Sequence, residues 1–599
     1  MQSTSCHMVK RIARYLNSTL TNTVFKRMEH CYVRCSPDEE RLKISFQYGV
    51  QSKQLKMFNF ERRFDETVGE LIDRLHAGIE KKCLKKKKKS KSESNEESLL
   101  PPITISLDGI NFGKEATIKD SMVDGSILKI ADCKLSIIVN APKIIKVSLP
   151  ESTMAEVPVI PLIDAEFTDL KETEFIWSRV KGSEIATNSN SPTFSECEEV
   201  SRTCIYTTTV EDIGWKLMLK CIPKRGAISG EEVYTVMKSS ITPGPGICPF
   251  QARHLFTEHI TEPNCVRVMS YNILADFYAD TDYTRDILYN YCAPYALKGD
   301  YRRPLIMKEL YGYNCDIMCL QEVDRKGFNS YFSSALDLLG YTGISQWKGP
   351  NAPEGEAIFF RSSKFSLVAE HSILLSEQLK NNPAYTDIAE KISVDRDVTT
   401  LMEGHGAVLQ AVVLKSTEDP SQVLCVANTH LYFRPDADAV RLLQCVLCIK
   451  HLEQLKATYK DQGVDLAIIF CGDFNSRPVR GVHQYVTQGF VPGDLSDWNN
   501  PDKPEDAHLC GMTFSHSQTL ISACGYPKYT NYVANFHEML DYIFIDSNKF
   551  SVEKVIPPPD HEEVVLHTAL PSVVFPSDHI AQICDIKWKQ TQNVLEESQ

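Results

Sequence analysis

In the second half of the chain, one apolar strand-like run after another ends abruptly in a polar residue. No other feature narrows the possible fold as much. Val266-Arg267-Val268-Met269-Ser270-Tyr271 runs into Asn272. The run 316–320 is followed by Gln321 and Glu322, and the run 423–427 leads to Asn428-Thr429-His430. The run 466–470 passes through Cys471-Gly472 to Asp473-Phe474-Asn475. Met539-Leu540-Asp541 opens a fifth run, and Ser577-Asp578-His579 precedes a sixth, 580–586. Short buried strands that alternate with helical stretches in this way describe one large α/β domain. Groups at strand ends are held rigidly at the rim of a sheet, where a reactive constellation can be built.

Read as chemistry, the six ends offer Asn, Glu, His, Asp-x-Asn, Asp and Asp-His. Oxygen ligands without paired thiols suit Mg²⁺, with Mn²⁺ as the alternative, better than zinc. Together, a hard cation, an activating carboxylate and two imidazoles suit in-line attack of water on a phosphodiester. Each motif alone is weak, because a lone G-D-x-N is a turn and a lone S-D-H is common. The information lies in six of them in order.

The ordered set S-Y-N-I-L-A-D, L-Q-E-V-D, N-T-H-L, G-D-F-N-S, L-D-Y-I-F and S-D-H resembles the endonuclease/exonuclease/phosphatase superfamily. E-G-E-A-I-F-F (354–360) and Y-T-N-Y (529–532) resemble its deadenylase branch. The β-rich N-terminal region, where other members carry leucine-rich repeats, is similar to that of the 2′-phosphodiesterases of that branch. The resemblance implies a two-sheet β-sandwich flanked by helices over 263–590. It implies a metal held chiefly by Glu322 near Asp473 and Asn475, with Asp578 available to a second ion. Asn272 would support the metal shell or a phosphate oxygen. Asp473 would orient or deprotonate water that Asn475 positions. His579, its tautomer held by Asp541, and His430 would bond phosphoryl oxygens from opposite sides. Phe536 and Pro435 match a pair that sandwiches adenine, with Arg434 near a phosphate and Asn531 also at the substrate. Here the chain departs from the branch, since H-L-Y-F-R-P has no acid before the proline.

The rest of the chain is organised differently. At 599 residues it exceeds one core. Residues 1–28 carry Lys10, Arg11, Arg14, Lys26 and Arg27 and no acid. Val9, Ile12, Ala13 and Leu16 share a helical face there, as in a mitochondrial presequence, and a basic tail (1–30) is the plainer alternative. Residues 31–145 read as a β-rich domain interrupted by a Lys/Ser/Glu-rich insert (81–99) that cannot bury apolar surface and is expected to be disordered. Residues 146–240 read as an immunoglobulin-like sandwich, with Trp177 on an early strand, a run at 203–208 and D-I-G-x-x-L-x-x-x-C from Asp212 to Cys221. A Pro/Gly linker follows (241–262), and 591–599 is a tail. The 20 cysteines are scattered through apolar runs, and Cys445 and Cys448 lack the second ligand pair that zinc needs. No run of about eighteen apolar residues exists, so no membrane partner is expected. The net charge of −13 speaks against broad duplex binding but not against gripping a few phosphates in a cleft.

The reading that follows is a Mg²⁺-dependent 3′-to-5′ exoribonuclease of the mitochondrial matrix, with cytoplasm or nucleus as alternatives. The resemblance implies that it trims 2′,5′-oligoadenylate and 3′,5′ poly(A) ends to AMP. Two other readings compete: an inositol-phosphate or lipid phosphodiesterase on the same fold, and an inactive RNA-binding scaffold. No protein partner is legible.

Overall fold

In the strand Cys265–Asn272 every residue after the first is buried. Val266 and Val268 face one apolar cluster, and Met269 and Tyr271 face another. A strand covered on both faces reads as a nearly continuous apolar run, as this one does. It pairs in parallel with Ile317–Asp324 and antiparallel with Gln582–Trp588. The sheet has six strands, ordered Tyr341–Trp347, Glu354–Arg361, Ile317–Asp324, Cys265–Asn272, Gln582–Trp588 and Phe550–Val555.

A second, seven-stranded sheet lies against it. Its main path runs Phe365–Glu370, Val408–Ser416, Val423–His430, Ala467–Asp473, Asp541–Asp546 and Leu520–Ser522, and Ile373–Leu374 adds to Val408–Ser416. Val268, Cys319 and Ile358 of the first sheet share the inner core with Val412, Val426, Ile469 and Ile543 of the second. The helix Asp438–Asp461 covers the outer face of the second sheet with Leu442, Val446 and Ile449. The helix Gly299–Tyr313 covers the first with Leu305, Met307 and Leu310. Each such fully buried side chain contributes about 1.5–3 kcal/mol. This is the expected sandwich, two sheets flanked by helices. Cys445 and Cys448 lie fully buried in the long helix, where burial pushes the Cys448 thiol up to about 12.

The computed structural model describes residues 30–36, 39–49, 55–84, 100–182, 192–498 and 509–589. The presequence-like stretch, the C-terminal tail and most of the Lys-rich insert lie outside the described residues. Among those described, no helix is long and apolar enough to cross a membrane.

The chain divides into two compact units. One holds residues up to 145 together with 164–174 and 221–233. Its seven-stranded sheet runs Lys56–Arg63, Arg41–Tyr48, His30–Arg34, Cys133–Val139, Ile127–Ile130, Ile103–Leu107 and Ile110–Asn111. The helix Val68–Ile79 packs on this sheet through Val68, Leu71, Leu75 and Ile79. Thr67 caps that helix, its hydroxyl accepting from the Glu70 N–H while the Glu70 carboxylate accepts from the Thr67 N–H.

The other unit holds the sandwich together with 146–163 and 175–220. There Met154, Val157 and Ile160 share a core with Phe250, Leu305 and Met307. Trp177 is fully buried and donates its indole N–H to the Thr203 carbonyl at 2.8 Å. The run expected at 203–208 is a strand only over Tyr206–Thr207. The Thr203 carbonyl is taken by Trp177, and the Tyr206 hydroxyl donates to Asp212 at 2.6 Å, so side chains replace a longer ladder. Cys204 is a free thiol.

Candidate active site

Strand register does most of the assembly. In the second sheet His430 pairs with Asp473, and Asp473 pairs with Asp541, which sets three functional side chains in a row across adjacent strands. Gly472 makes the close pairing possible, since a Cβ there would come within 2.2 Å of the Thr429 carbonyl oxygen. In the first sheet Asn272 pairs with Gln321. Below the site the Gln321 amide donates to Asn428 Oδ1 at 2.8 Å, and the Asn428 amide donates to the Leu320 carbonyl at 2.9 Å. This buried amide pair ties one sheet to the other and fixes their relative height.

Glu322 reaches the site through a backbone irregularity. Its φ is 55°, and the register with the neighbouring strand shifts between Leu320 and Val323. A non-glycine residue in the left-handed region costs roughly 1–3 kcal/mol, and such bulges re-aim side chains next to active sites. Here the bulge turns the carboxylate toward Asn272, whose amide donates to Glu322 Oε1 and Asp473 Oδ2, each at 3.0 Å. The Ala275 N–H donates to Glu322 Oε2 at 3.0 Å. Asn475, also left-handed at φ 48°, donates its backbone N–H to Asp473 Oδ1 and its side-chain amide to the Leu431 carbonyl.

The two imidazoles flank one oxygen. His430 Nε2 and His579 Nε2 each lie 3.6 Å from Asp473 Oδ2. His579 Nδ1 bonds Asp541 Oδ2 at 2.8 Å, and the Thr530 hydroxyl donates to the same oxygen at 2.6 Å. The Ser577 hydroxyl donates to the Asn272 carbonyl and accepts from the His579 N–H, so the S-D-H turn is fastened to the first strand.

The charges follow from this packing. Burial pushes the Asp473 carboxyl up to about 7, with Asp541 adding to it and His579, Asn272 and the Asn475 N–H opposing. Burial, then Asp578 and Glu354, raise Glu322. Burial acts to lower His579, but the carboxylates of Asp541, Asp578 and Asp473 outweigh it and hold the ring well above the ordinary histidine range. Burial, then Lys348 and His579, depress His430 far below that range.

The donor set fits a hard divalent cation. Glu322, Asp473, Asp578 and the Asn475 amide supply oxygens, and crowded buried carboxylates call for a positive charge between them. Asp473, Asp541 and His579 offer ligand atoms within 4.8 Å of one another. The last two already bond each other, however, so they suit a proton-holding pair better than a metal face.

Several residues missed in the sequence complete the site. Thr530, inside Y-T-N-Y, fixes Asp541. The Tyr289 hydroxyl donates to Asp578 Oδ2 at 2.9 Å. Arg302, fully buried, donates to the carbonyls of Ile273 and Pro576 and so pins the loops that carry Asn272 and Ser577. Lys348 Nζ lies 3.2 Å from His430 Nδ1. No local pattern marked any of these as functional except the Y-T-N-Y motif.

The base-recognition candidates are placed less uniformly. Phe536 is 43% exposed, and Pro435 is exposed beyond His430. Arg434 is paired with Asp436 at 2.6 Å, so its guanidinium already has an anion. Asn531 is buried, and its amide donates to Asp578 at 3.3–3.4 Å. Asn531 therefore braces the Asp578 turn.

With this geometry in view, comparison with known proteins is direct. Residues 269–579 match the Endonuclease/Exonuclease/phosphatase family, and 141–240 match the N-terminal domain of proteins like 2′,5′-phosphodiesterase 12. The chain belongs to the Endonuclease/Exonuclease/phosphatase family and is an enzyme of its hydrolase class. It is 39% identical to rat 2′,5′-phosphodiesterase 12, over 95% of this chain and 96% of that protein. It is 28% identical to the fission-yeast CCR4-Not complex 3′-5′-exoribonuclease subunit Ccr4, over 55% of this chain and 50% of that one. A solved structure of ANGEL2, a 2′,3′-cyclic phosphatase, is 22% identical, covers 54% of this chain and 96% of its own, and has a TM-score of 0.44.

Proposed function

We propose that the chain is a Mg²⁺-dependent 3′-to-5′ exoribonuclease of the mitochondrial matrix that releases 5′-AMP from 2′,5′-oligoadenylate and from 3′,5′ poly(A) ends. The observation that carries the reading is the pair of imidazoles flanking the buried Asp473 carboxylate. The similarity to 2′,5′-phosphodiesterase 12 along nearly the whole chain supports the 2′,5′ linkage, and that to Ccr4 supports the 3′,5′ one. The basic, acid-free stretch 1–28 supports the matrix.

Glu322, Asp473 and Asn475 would hold the cation, with Asp578 beside them. Bound there, Mg²⁺ would neutralise phosphate charge and polarise the scissile group. Asp473 takes the proton of the attacking water. Asn475 fixes that carboxylate through its backbone N–H. His579, kept protonated by Asp541, donates from Nε2 to a phosphoryl oxygen, and His430 donates from the other side. Phe536 and Pro435 receive the terminal adenine.

The test is hydrolysis of 2′,5′-triadenylate, 3′,5′ oligoadenylate and oligocytidylate by the full chain, with Mg²⁺ and with EDTA, beside Asp473→Ala. Metal-dependent AMP release from the adenylates, absent in the variant, is expected. Cleavage of inositol phosphates instead would overturn the substrate class. Organelle import of a reporter fused to residues 1–30 tests the compartment, and a cytosolic reporter would refute it.

A further inference from the structure

The strand Tyr341–Trp347 turns back into Glu354–Arg361 and brings a lysine under His430. Gln346 pairs with Glu356 and Trp347 with Gly355, so Lys348 stands opposite Glu354. Residues two apart on a strand share a face, which puts Glu354 and Glu356 on the side where Lys348 lies. Gly355 between them has no room for a Cβ, which would meet the Gln346 carbonyl oxygen at 2.2 Å. The E-G-E sequence thus presents two carboxylates around one ammonium. Lys348 Nζ is 3.0 Å from Glu354 Oε1 and 3.9 Å from Glu356 Oε1. Glu356 is fully buried, and neither of its oxygens has a hydrogen-bond partner. Burial pushes this carboxyl well above the ordinary carboxylate range, and the Lys348 charge is the main influence opposing that rise. Lys348 Nζ also lies 3.2 Å from His430 Nδ1, inside hydrogen-bond distance, whereas the nearest carboxylate to that nitrogen, Glu322 Oε1, stands off at 4.0 Å.

An ammonium has three donors and no acceptor. Whatever faces it at hydrogen-bond distance must accept, so Nδ1 of His430 presents its lone pair and the ring proton sits on Nε2. Nε2 is the nitrogen that faces Asp473 Oδ2 and shares that oxygen with His579. We propose that Lys348, clamped by Glu354 and Glu356, is a positioning residue that locks His430 in the neutral Nε2–H tautomer, so that this ring donates to the phosphoryl group. This deepens the phosphodiesterase reading above and rests on it. The familiar partner for a histidine Nδ1 is a carboxylate, as at His579, which makes the ring a better cation. A lysine does the opposite. It occupies Nδ1 with a donor and aims one fixed donor from Nε2.

Two measurements test it on the full chain. The first needs no substrate: ¹⁵N-histidine NMR, with His430 assigned by the signal lost in His430→Asn. An unprotonated Nδ1 and a protonated Nε2 are expected in the wild type, with mixed tautomers in Lys348→Met. A protonated Nδ1 in the wild type overturns the proposal even if every variant misfolds. The second is kinetics on 2′,5′-triadenylate. Lys348→Met should lower kcat about 10–100-fold, as removal of an orienting partner does, with KM changed less than about threefold. The triple variant Lys348→Met/Glu354→Gln/Glu356→Leu removes both buried carboxylates that the lysine leaves behind, and it should stay folded and show the same kcat loss. A raised KM with unchanged kcat would make Lys348 a direct phosphate contact and overturn the positioning role. If the wild type cuts no adenylate at all, the functional reading falls while the tautomer result stands on its own.

Discussion

His430 and His579 face the same carboxylate oxygen at the same 3.6 Å, yet the nearest partners of their Nδ1 atoms are opposite in charge. His579 hangs from a carboxylate on Nδ1, with Asp578 nearby. His430 has a lysine on Nδ1. Residue type and distance alone would make the two rings interchangeable. The neighbours make one a bound cation and the other a neutral donor. A phosphoryl group between them therefore meets one full positive charge and one dipole, in place of two competing cations. With a divalent metal in the same cleft, a second imidazolium would add repulsion at no gain in direction.

The two rings share Asp473 Oδ2, so neutralising that carboxylate affects both at once. Asp473→Asn should lower kcat roughly 10³-fold or more, because it takes away the proton acceptor, and single-turnover hydrolysis of triadenylate measures it. Residual activity within tenfold of wild type would move the base elsewhere. Next in size, Asp541→Asn keeps the shape of the His579 partner but removes its charge. A kcat loss of roughly 10²-fold is expected, with the alkaline limb of the pH–kcat profile moved to lower pH, since the imidazolium then gives up its proton sooner. Tyr289→Phe or Thr530→Val, which loosen rather than uncharge that corner, should cost less, about tenfold, read in the same assay.

Stability against pH separates the rings by sign. His579 binds its proton more tightly in the folded state, so its contribution is complete below the ordinary value of 6.5 and is lost as pH rises through the folded value. His430 binds its proton less tightly when folded, so its contribution is complete above 6.5 and falls away as pH drops. In urea melts of the metal-free protein, His430→Gln should flatten the acid flank and His579→Gln the alkaline flank. The same flank affected by both would refute the contrast. The smallest effect is away from the rings. Phe536→Ala should raise KM for adenylates about tenfold, in line with a stacking energy of roughly 1–3 kcal/mol, with kcat nearly unchanged.

Much of this site is legible before any fold is known, and the reason is local. A strand covered on both faces is an apolar run, and a polar residue at either end breaks the pattern visibly; each break is weak alone, but Asn272, Glu322, His430, Asp473, Asp541 and His579 stand out as an ordered set. Arg302 and Tyr289 do not stand out. Arg302 sits in a helix with no distinctive spacing, and its role exists only because the loops at Ile273 and Pro576, 303 residues apart, meet at its guanidinium. Arg434 shows the converse. Its sequence neighbourhood offered it to a phosphate, and Asp436, two residues on, already pairs with it.

Which polar side chains flank each strand, in what order, and with what oxygen-rich donors for a hard cation is written locally, because strand periodicity and strand ends are encoded within a few residues. The remaining features come from long-range pairing. Register set His430, Asp473 and Asp541 abreast. The bulge at Glu322 turned a carboxylate that regular alternation would have aimed elsewhere. Packing between a hairpin and a distant strand end gave one histidine a lysine and the other an aspartate. Those choices depend on pairing between segments far apart in the chain, where no local periodicity records which partner each side chain will meet.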